Sequence, residues 1–372
     1  MTSWSPASFL PAHVRRFEPY VPSRPDAELR KMYGCDRIFR LNNNENTLGP
    51  PPAAREVIES FNSERAAQYP SGDSFYLRHK LAEKFGLSPD EFIVGNGANE
   101  VIAFVIKTFC EQGDNIITAD KTFAVYEWVA KFSGIEARLV PLRNYFFDER
   151  AILSRIDERT KIIFICNPNN PTGTYWDAPR LKRFLESIGG RQIVVVDEAY
   201  AEFVEKSDYP QGMSLIDQYP NLVVFRTFSK MYGLAGLRVG YLAARQEVVD
   251  ALRRTCVVYS VNTIGQEAAL AAKAALGDED YIAATRKMVR EGKEYLIAEL
   301  EKMRLPIICG EGNFLMVRLP MSDMLVHRRL LCSGVLVRTM TGFRFPNHIR
   351  VSIGTREALE CLVENLGRII SS

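Results

Sequence analysis

Residues 223–240 read Val223-Val-Phe-Arg-Thr-Phe-Ser-Lys230-Met-Tyr-Gly-Leu-Ala-Gly-Leu-Arg238-Val-Gly240. The stretch begins as an apolar strand, reaches a Ser-Lys step and places Arg238 eight residues after Lys230. A lysine amine condenses reversibly with an aldehyde, and a neighbouring hydroxyl and guanidinium can hold a phosphate dianion beside it. A Ser-Lys pair alone indicates little, because most lysines are solvated surface charges.

Two upstream segments extend this interpretation. Residues 161–173 read as a buried strand without polar alternation that breaks into a turn rich in proline and glycine. Residues 191–200 contain a second buried strand, which ends at Asp197. Ligands of open α/β sheets bind beyond the carboxyl ends of parallel strands. We therefore expect Asn170, Asp197 and Lys230 to converge on one crevice.

Pyridoxal phosphate combines an aldehyde with a phosphate and is the cofactor that this arrangement predicts. An aspartate buried against its pyridine nitrogen would keep that nitrogen protonated, which makes the ring an electron sink. Asp197 is the candidate for this position, and Asn170 and Tyr200 could bond the phenolate oxygen of the ring. The predicted catalytic residues are Lys230, Asp197, Tyr200 and Asn170.

The order Asn-Asn-Pro-Thr-Gly, Val-Val-Val-Asp-Glu-Ala-Tyr and Thr-Phe-Ser-Lys-Met-Tyr-Gly-Leu-Ala-Gly-Leu-Arg-Val-Gly-Tyr resembles the fold-type I, pyridoxal-phosphate-dependent aminotransferases. Among them the chain is most similar to the histidinol-phosphate aminotransferase family, from about Val14 to Thr355. Further matching segments are 18–22, 41–46, 69–72, 95–100, 334–338 and 348–355. The resemblance implies ping-pong transamination from L-histidinol phosphate, the amino donor, to the oxo acid acceptor 2-oxoglutarate.

The cofactor phosphate is expected at the turn Gly95-Asn-Gly-Ala98-Asn99, where a strand leads into a helix. The free N–H groups and the dipole of a helix N-terminus attract an anion. The resemblance adds the backbone N–H groups of Ala98 and Asn99 to Ser229 and Arg238 around this phosphate. A plain strand-to-helix turn is the alternative interpretation of the Gly-Asn-Gly motif alone.

Two aromatic residues take cofactor roles through the resemblance. Phe123 occupies the family position whose ring stacks on the pyridine, whereas its helical spacing alone would indicate packing, as it would for Tyr126. Tyr69 matches a tyrosine that reaches the cofactor phosphate of the neighbouring subunit. The resemblance therefore implies a twofold-symmetric homodimer with composite sites.

Arginines are expected to bind the substrate. Arg350 lies in an apolar strand, and a buried guanidinium requires a partner. That partner is either an internal acidic residue or, as in the resembling aminotransferases, the α-carboxylate of glutamate. Arg338, with Tyr20, matches the residues that hold the substrate phosphate. The same guanidinium N–H groups would bind either a phosphate or a distal carboxylate. Asn46 is also assigned to the substrate site.

Three departures from the family pattern lie near the expected substrate position. Thr47 stands where proline is usual, and segment 256–262 lacks the usual arginine and an asparagine. Arg344 is an extra arginine in a loop that is usually small and glycine-rich. It is either a solvated loop charge or a residue that reshapes the pocket for a different amine.

Strands and helices alternate between Thr47 and about Tyr259, which predicts an α/β fold with a mostly parallel seven-stranded sheet sandwiched by helices. We expect a large cofactor-binding domain over 47–262 and a smaller α+β domain over 263–372. Residues 1–46 are expected to form an arm that joins the smaller domain, as the resemblance implies.

Composition is that of a soluble enzyme. The 372 residues carry 47 basic and 45 acidic side chains, so no global field favours nucleic acid or an anionic membrane. Seven scattered cysteines argue against a disulfide framework or a zinc knuckle, and we expect no metal ion. No segment reaches the roughly 18 apolar residues of a membrane span. These features predict a cytoplasmic protein.

Two other classes of function remain open at this stage. An aminotransferase, decarboxylase or cyclase acting on another amino acid, such as an aromatic one, an arginine-derived one or threonine phosphate, would use the same cofactor shell. The outcome depends on which bond to Cα lies perpendicular to the cofactor ring. A non-catalytic binding protein is disfavoured because Lys230, Asp197 and Asn170 are all present.

Overall fold

The computed structural model describes residues 5–15, 17, 24–274 and 279–371. Its strands form one sheet of seven strands and one of five, which we call the large and the small sheet. The strands are β1 (Phe39–Leu41), β2 (Phe92–Gly95), β3 (Asn115–Ala119), β4 (Glu136–Val140), β5 (Thr160–Cys166), β6 (Ile193–Asp197), β7 (Leu222–Thr227), β8 (Gly240–Ala244), β9 (Ile307–Ile308), β10 (Phe314–Arg318), β11 (Val335–Thr339) and β12 (His348–Ser352).

Helices connect these strands and cover the sheets. The α-helices of the described residues are α1 (Ala12–Arg15), α2 (Asp26–Tyr33), α3 (Pro52–Glu59), α4 (Ser63–Ala66), α5 (Phe75–Phe85), α6 (Ala98–Phe109), α7 (Val125–Phe132), α8 (Glu149–Leu153), α9 (Ala178–Ile188), α10 (Gln246–Arg253), α11 (Thr263–Ala274), α12 (Glu279–Lys302), α13 (Asp323–Cys332) and α14 (Arg356–Ser371). No helix in this part of the chain is long and apolar enough to cross a membrane.

The large sheet has the strand order β2-β8-β7-β6-β5-β3-β4. Strand β8 runs antiparallel to both of its neighbours, and the other pairings are parallel. The predicted mostly parallel seven-stranded sheet is therefore confirmed. Cys166 pairs with Asp197, and Asp197 pairs with Phe225, so the carboxyl ends of β5, β6 and β7 lie side by side.

Helix α9 illustrates how local sequence produces a covering helix. The Asp177 side chain accepts a hydrogen bond from Arg180 N at the N-terminus, and Gly189 ends the helix in the left-handed region. Its buried residues are Leu181, Phe184, Leu185 and Ile188. Their spacing places them on one face of the helix, which is the face that packs on the sheet.

The small sheet has the order β1-β11-β12-β10-β9. Strand β1, from the amino-terminal segment, pairs in parallel with β11, as expected for an arm that joins this region. Helix α11 begins one residue after the predicted boundary at 262 and packs against α3 and α5. The division into domains at 46 and 262 stays a prediction.

A buried ion pair lies behind the carboxyl edge of β6 and β7. Arg226 Nη2 is 2.7 Å from Glu198 Oε2, and both side chains are almost fully buried. Glu198 also accepts a hydrogen bond from Gly212 N. Burial raises the pKa of Glu198, whereas the charge of Arg226 opposes that rise. Removing one partner of such a pair leaves an uncompensated charge in the core.

We expect Arg226→Leu to lower the free energy of unfolding by about 3–5 kcal/mol, because Glu198 would lose its counter-ion inside the core. Arg245→Ala is the matched control, since the Arg245–Asp217 pair is exposed and its loss should cost only about 0–1 kcal/mol. Denaturant-induced unfolding followed by tryptophan fluorescence measures both. Equal losses in the two variants would contradict this assignment.

Candidate active site

A cavity of about 820 Å³ lies between the carboxyl edge of the large sheet, helix α7 and the small sheet. Most residues assigned to the site from the sequence line it: Ala98, Asn99, Phe123, Asn170, Asp197, Tyr200, Ser229, Lys230, Arg238, Arg338 and Arg350. The structure thus brings together cofactor and substrate candidates that are up to 252 residues apart in the sequence (350 − 98).

Two of the assigned residues that the structure describes, Tyr69 and Asn46, do not line this cavity. The ring of Tyr69 is 88% exposed and lies 5.2 Å from the ring of Tyr259. Asn46 is buried outside the cavity, where its side-chain amide donates to Met231 O and to Tyr281 Oη. The structure therefore gives no support to a direct substrate contact by Asn46. Tyr20 lies outside the described residues.

One end of the cavity is built to hold an anion. Helix α6 begins here at Ala98, and Arg238 Nη1 lies 3.4 Å from Ser229 Oγ. Gly97 has φ +77°, and a Cβ at this position would collide with the Arg238 guanidinium. A Cβ at Gly240 would lie only 2.7 Å from Ala98 N. These glycines let a guanidinium, a hydroxyl and a helix N-terminus face the same space, which suits a phosphate.

Asp197 is held by a residue that the sequence did not assign to it. Tyr126 Oη donates a 2.5 Å hydrogen bond to Asp197 Oδ2, and Ala199 N donates to Oδ1. The Tyr126 ring stacks on Phe164 at 4.7 Å. Burial raises the pKa of Asp197, and the Tyr126 bond opposes that rise. From the sequence, the helical spacing of Tyr126 indicates only packing.

Tyr200 is oriented mainly by Asn44. The Asn44 side-chain amide donates to Tyr200 Oη at 2.8 Å, whereas Asn170 Nδ2 lies 3.5 Å from the same oxygen. Asn44 is itself fixed by Ser352, since the Ser352 hydroxyl donates to Asn44 Oδ1 at 2.9 Å. Burial raises the pKa of Tyr200 to about 12, so it remains a protonated hydroxyl at neutral pH.

Lys230 is part of the cavity wall. Its Nζ donates a 2.7 Å hydrogen bond to Asn43 O. Burial is the main reason that the pKa of Lys230 falls to about 7, and the positive charges of Arg350 and Arg238 lower it further. Glu45 and Asp197 act in the opposite direction. A large fraction of this amine is therefore uncharged, and nucleophilic, near neutral pH.

Arg350 is buried, and its hydrogen-bond partners are neutral. Nη1 donates to Asn170 Oδ1 at 2.5 Å and Nη2 donates to Asn42 O at 2.6 Å, while Nε has no partner. Among the described residues, Arg350 forms no ion pair of the kind considered from the sequence. Burial lowers the pKa of Arg350 to about 10, and the charge of Arg338 contributes. Arg338 and Arg350 are direct neighbours across β11 and β12.

An apolar wall completes the cavity. It consists of one face of α7, formed by Val125, Trp128, Val129 and Phe132, together with Phe343 from the segment after β11. The α7 residues follow the i, i+3, i+4, i+7 spacing of an amphipathic helix, which was the available sequence signal. Phe17 makes an edge contact with Phe132 at 6.0 Å, so the amino-terminal segment packs against this wall.

Arg344 makes a contact that neither sequence interpretation anticipated. Its Nη2 lies 2.9 and 3.0 Å from the two carboxylate oxygens of Glu127. Its side chain is exposed, as expected for a loop charge, but it is paired with Glu127, and it does not line the cavity directly. The other two departures from the family pattern also make contacts. The Thr47 hydroxyl lies 3.5 Å from Met288 Sδ. Segment 256–262 brings Tyr259 against Tyr69.

Comparison with known proteins gives a consistent family. Residues 36–366 match the model of aminotransferase class I and II. Histidinol-phosphate aminotransferase of Moorella thermoacetica is 39% identical over 96% of this chain and 92% of its own length. Histidinol-phosphate aminotransferase 2 of Pseudomonas fluorescens is also 39% identical, over 96% of each chain. These matches confirm the family expected from the motifs.

A solved structure that carries the same name as these relatives has a similar fold. The structure of histidinol-phosphate aminotransferase from Sinorhizobium meliloti superposes with a TM-score of 0.86 at 23% identity, covering 100% of this chain and 98% of that one. That likeness concerns the fold, which is the fold-type I architecture predicted from the sequence.

The low pKa of Lys230 can be tested on protein freed of bound ligands. We expect its reaction with trinitrobenzenesulfonate, followed by peptide mass spectrometry, to accelerate with rising pH around a midpoint near 7, because only the uncharged amine reacts. Arg350→Met removes a neighbouring positive charge, so the midpoint should move upward. A wild-type midpoint near the ordinary lysine value of about 10.4 would contradict the burial of this amine.

Proposed function

The chain belongs to the class I and II aminotransferase family, and we propose that it transfers the amino group of L-histidinol phosphate to 2-oxoglutarate with pyridoxal phosphate as cofactor. Both curated relatives described above carry the name histidinol-phosphate aminotransferase. The reaction belongs to histidine biosynthesis, and the enzyme would work in the cytoplasm. Its seven cysteines are all free thiols, which suits a reducing compartment.

The observation that carries the proposal is the Arg338–Arg350 pair. Like charges directly opposite each other across a sheet are destabilising, so this arrangement suits a site that receives anions. Arg350 also keeps one buried N–H, that of Nε, which has no partner among the described residues. Glutamate offers an α-carboxylate to Arg350 and a distal carboxylate to Arg338, whereas histidinol phosphate offers its phosphate to Arg338.

The residues of the cavity fit pyridoxal phosphate. When bound, this cofactor supplies an aldehyde that joins covalently to an amine and a ring that withdraws electrons from the bonds at Cα. Ser229, the N-terminus of α6 and Arg238, whose guanidinium packs against Gly97, would hold the phosphate. The Sinorhizobium meliloti protein was solved in complex with pyridoxal-5'-phosphate.

The remaining cofactor contacts would come from opposite walls. Phe123 would lie against the flat face of the ring, and Asp197 would face the ring nitrogen. Tyr126 keeps the Asp197 carboxylate in place through its hydrogen bond. Tyr200, fixed by Asn44, and Asn170 would direct polar groups at the phenolate oxygen. Burial of these groups excludes water, which strengthens each contact.

Lys230 would move the proton. Its amine, once released by the incoming donor, is a base whose pKa near 7 allows it to take the Cα proton and return it. Arg350 serves this step twice, since it would bind the carboxylate of the substrate and its charge lowers the pKa of Lys230. The same residues would then act in reverse on the oxo acid.

A second candidate donor follows from the apolar wall. Trp128, Phe132 and Phe343 present aromatic surface to the cavity, and aromatic rings stack favourably on such surface. An aromatic amino acid is therefore an alternative amino donor for the same reaction. Its carboxylate would use Arg350, and its side chain carries no distal anion for Arg338 to bind.

We also propose a homodimer. Tyr69, Tyr76, Val257, Val258 and Tyr259 are exposed apolar or aromatic residues, and the first and last of these pack together. Exposed apolar clusters of this kind mark protein interfaces. Tyr69 would extend from this surface to the cofactor phosphate of the partner subunit, as its motif implies.

The function can be tested by half-reactions of the cofactor-loaded enzyme. The bound cofactor absorbs at the short-wavelength edge of the visible range. We expect L-histidinol phosphate to remove this absorbance band and 2-oxoglutarate to restore it. Lys230→Ala should reduce turnover by roughly a thousandfold or more, because the covalent partner and the proton carrier are lost together. If phenylalanine bleaches the band and histidinol phosphate does not, the substrate is wrong and the aromatic alternative holds. Near-normal turnover of Lys230→Ala would refute the catalytic assignment itself.

The role of Arg338 can be separated from that of Arg350. Arg338→Leu should raise the KM for histidinol phosphate and for glutamate, because it removes a charge-assisted contact worth roughly 1.5–3 kcal/mol. The KM for phenylalanine should change little, since this donor has no distal anion. Steady-state kinetics with the three donors measures the pattern. A uniform rise for all three would show that Arg338 does not bind the distal group.

A further inference from the structure

The segment between β11 and β12, residues 340–347, spans from the small sheet to the large-sheet side of the cavity. Arg344 stands at its tip in the left-handed region, with φ +61°. Its Nη2 bonds both carboxylate oxygens of Glu127 on α7, and its Nη1 donates to Asp120 O at 2.9 Å. One guanidinium therefore makes three hydrogen bonds to the opposite wall. We call the Arg344–Glu127 pair, together with Asp120 O, the clasp.

The other end of the same segment is fixed to the small-sheet side. Asp323 Oδ2 accepts hydrogen bonds from Met340 N and Thr341 N, both at 2.9 Å, and Oδ1 accepts one from the Thr341 hydroxyl at 2.6 Å. The Asp323 side chain is buried at the start of α13. The segment is thus fixed to the small-sheet side through Asp323 and to the opposite wall through the clasp.

The clasp lies beside two residues of the proposed substrate site. Phe343, next to Arg344, lines the cavity, and the Arg338 guanidinium lies 5.4 Å from the centre of its ring. On the other side, Glu127 is followed by Trp128, which also lines the cavity. The Arg344–Glu127 pair therefore connects the segment that carries Phe343 to the helix that carries Trp128.

Arg344 is not needed to neutralise the carboxylates of Glu127 and Asp120. Glu127 Oε1 also accepts a 2.6 Å hydrogen bond from Lys131, one turn further along α7. Asp120 is paired with Lys121, whose amine also lies 5.4 Å from the Phe345 ring. Loss of Arg344 would leave both carboxylates with a cation. A contact that is dispensable for charge balance yet bridges two walls points to a role in geometry.

We propose that the clasp is a positioning device that holds Arg338 and Phe343 at the distance from α7 at which Arg338 binds the distal anion of the amino donor. Arg344 does not touch the substrate and acts through its neighbours. The proposal deepens the proposed function and rests on it, since it assumes that Arg338 receives a distal anion. It also explains an arginine in a loop that the family pattern keeps small.

Binding of unreactive acids to the cofactor-loaded enzyme tests the proposal without turnover. Succinate, a dicarboxylate, would engage both Arg350 and Arg338, whereas propionate would engage Arg350 alone. We expect Arg344→Ala to weaken succinate binding about tenfold and to leave propionate binding within about twofold. Dissociation constants come from the change in the cofactor absorbance on titration. With glutamate as donor, KM should rise and kcat should stay within about twofold.

Partner variants show whether the effect belongs to the pair. Glu127→Gln should weaken succinate binding less than Arg344→Ala does, because Asp120 O and the remaining amide oxygen can still accept from Arg344, and the double variant should be no worse than Arg344→Ala alone. Arg344→Lys should restore part of the affinity, since an amine cannot make the bidentate contact. Lys131→Ala is the matched control: it removes the other cation of Glu127 within α7 and should leave succinate binding unchanged.

Three results would contradict the proposed role of the clasp. These are unchanged succinate binding in Arg344→Ala, equal losses for succinate and propionate, and additive effects of Arg344→Ala and Glu127→Gln. Failure of the proposed substrate is recognised separately. In that case wild-type enzyme would not react with L-histidinol phosphate, while the difference between succinate and propionate would still report on Arg338 and its support.

Discussion

A positive charge buried between the two sheets organises this protein. The Arg350 guanidinium reaches Asn170 after β5 and the backbone of Asn42 after β1, so one side chain joins both sides of the cavity. Burial in a medium of low polarity makes such a charge expensive unless it is well bonded. One N–H stays without a partner, and the charge lowers the pKa of Lys230. The same residue thus supports the architecture, prepares the amine and remains available to an anion.

Neighbouring residues at the strand ends serve opposite sides of the sheet. Asp197 faces the cavity and is held by Tyr126, whereas Glu198 points to the other side and pairs with Arg226 in the core. After β5, Asn170 faces the cavity, and the preceding asparagine instead accepts from the Thr122 hydroxyl. Side chains of an extended chain alternate in direction, so Asp197 builds the site and Glu198 fixes the strand behind it.

The cavity combines charged ends with an apolar wall. Arg238 and the α6 N-terminus provide one cationic end, and Arg338 with Arg350 provides the other, while one face of α7 lies between them. Cationic groups select ligands with two anionic groups, and the aromatic surface favours a flat group between them. Across the cavity, Arg344 pairs with Glu127 and so links the segment after β11 to α7. Charge therefore determines the class of ligand, and the walls determine its shape.

The sequence by itself determined the parallel sheet, because uninterrupted apolar runs separated by helical stretches allow few other arrangements. It also placed Asp197 and Lys230 at one edge, since parallel strands end together, and its motifs identified the family. Only the tertiary structure decided that Tyr126 bonds Asp197, that Arg344 pairs with Glu127 and that Asn46 lies away from the cavity. Arg344 and Glu127 are 217 residues apart, and no local pattern encodes such a partner. Side-chain contacts of this kind depend on how the elements pack, which periodicity and motif spacing do not specify.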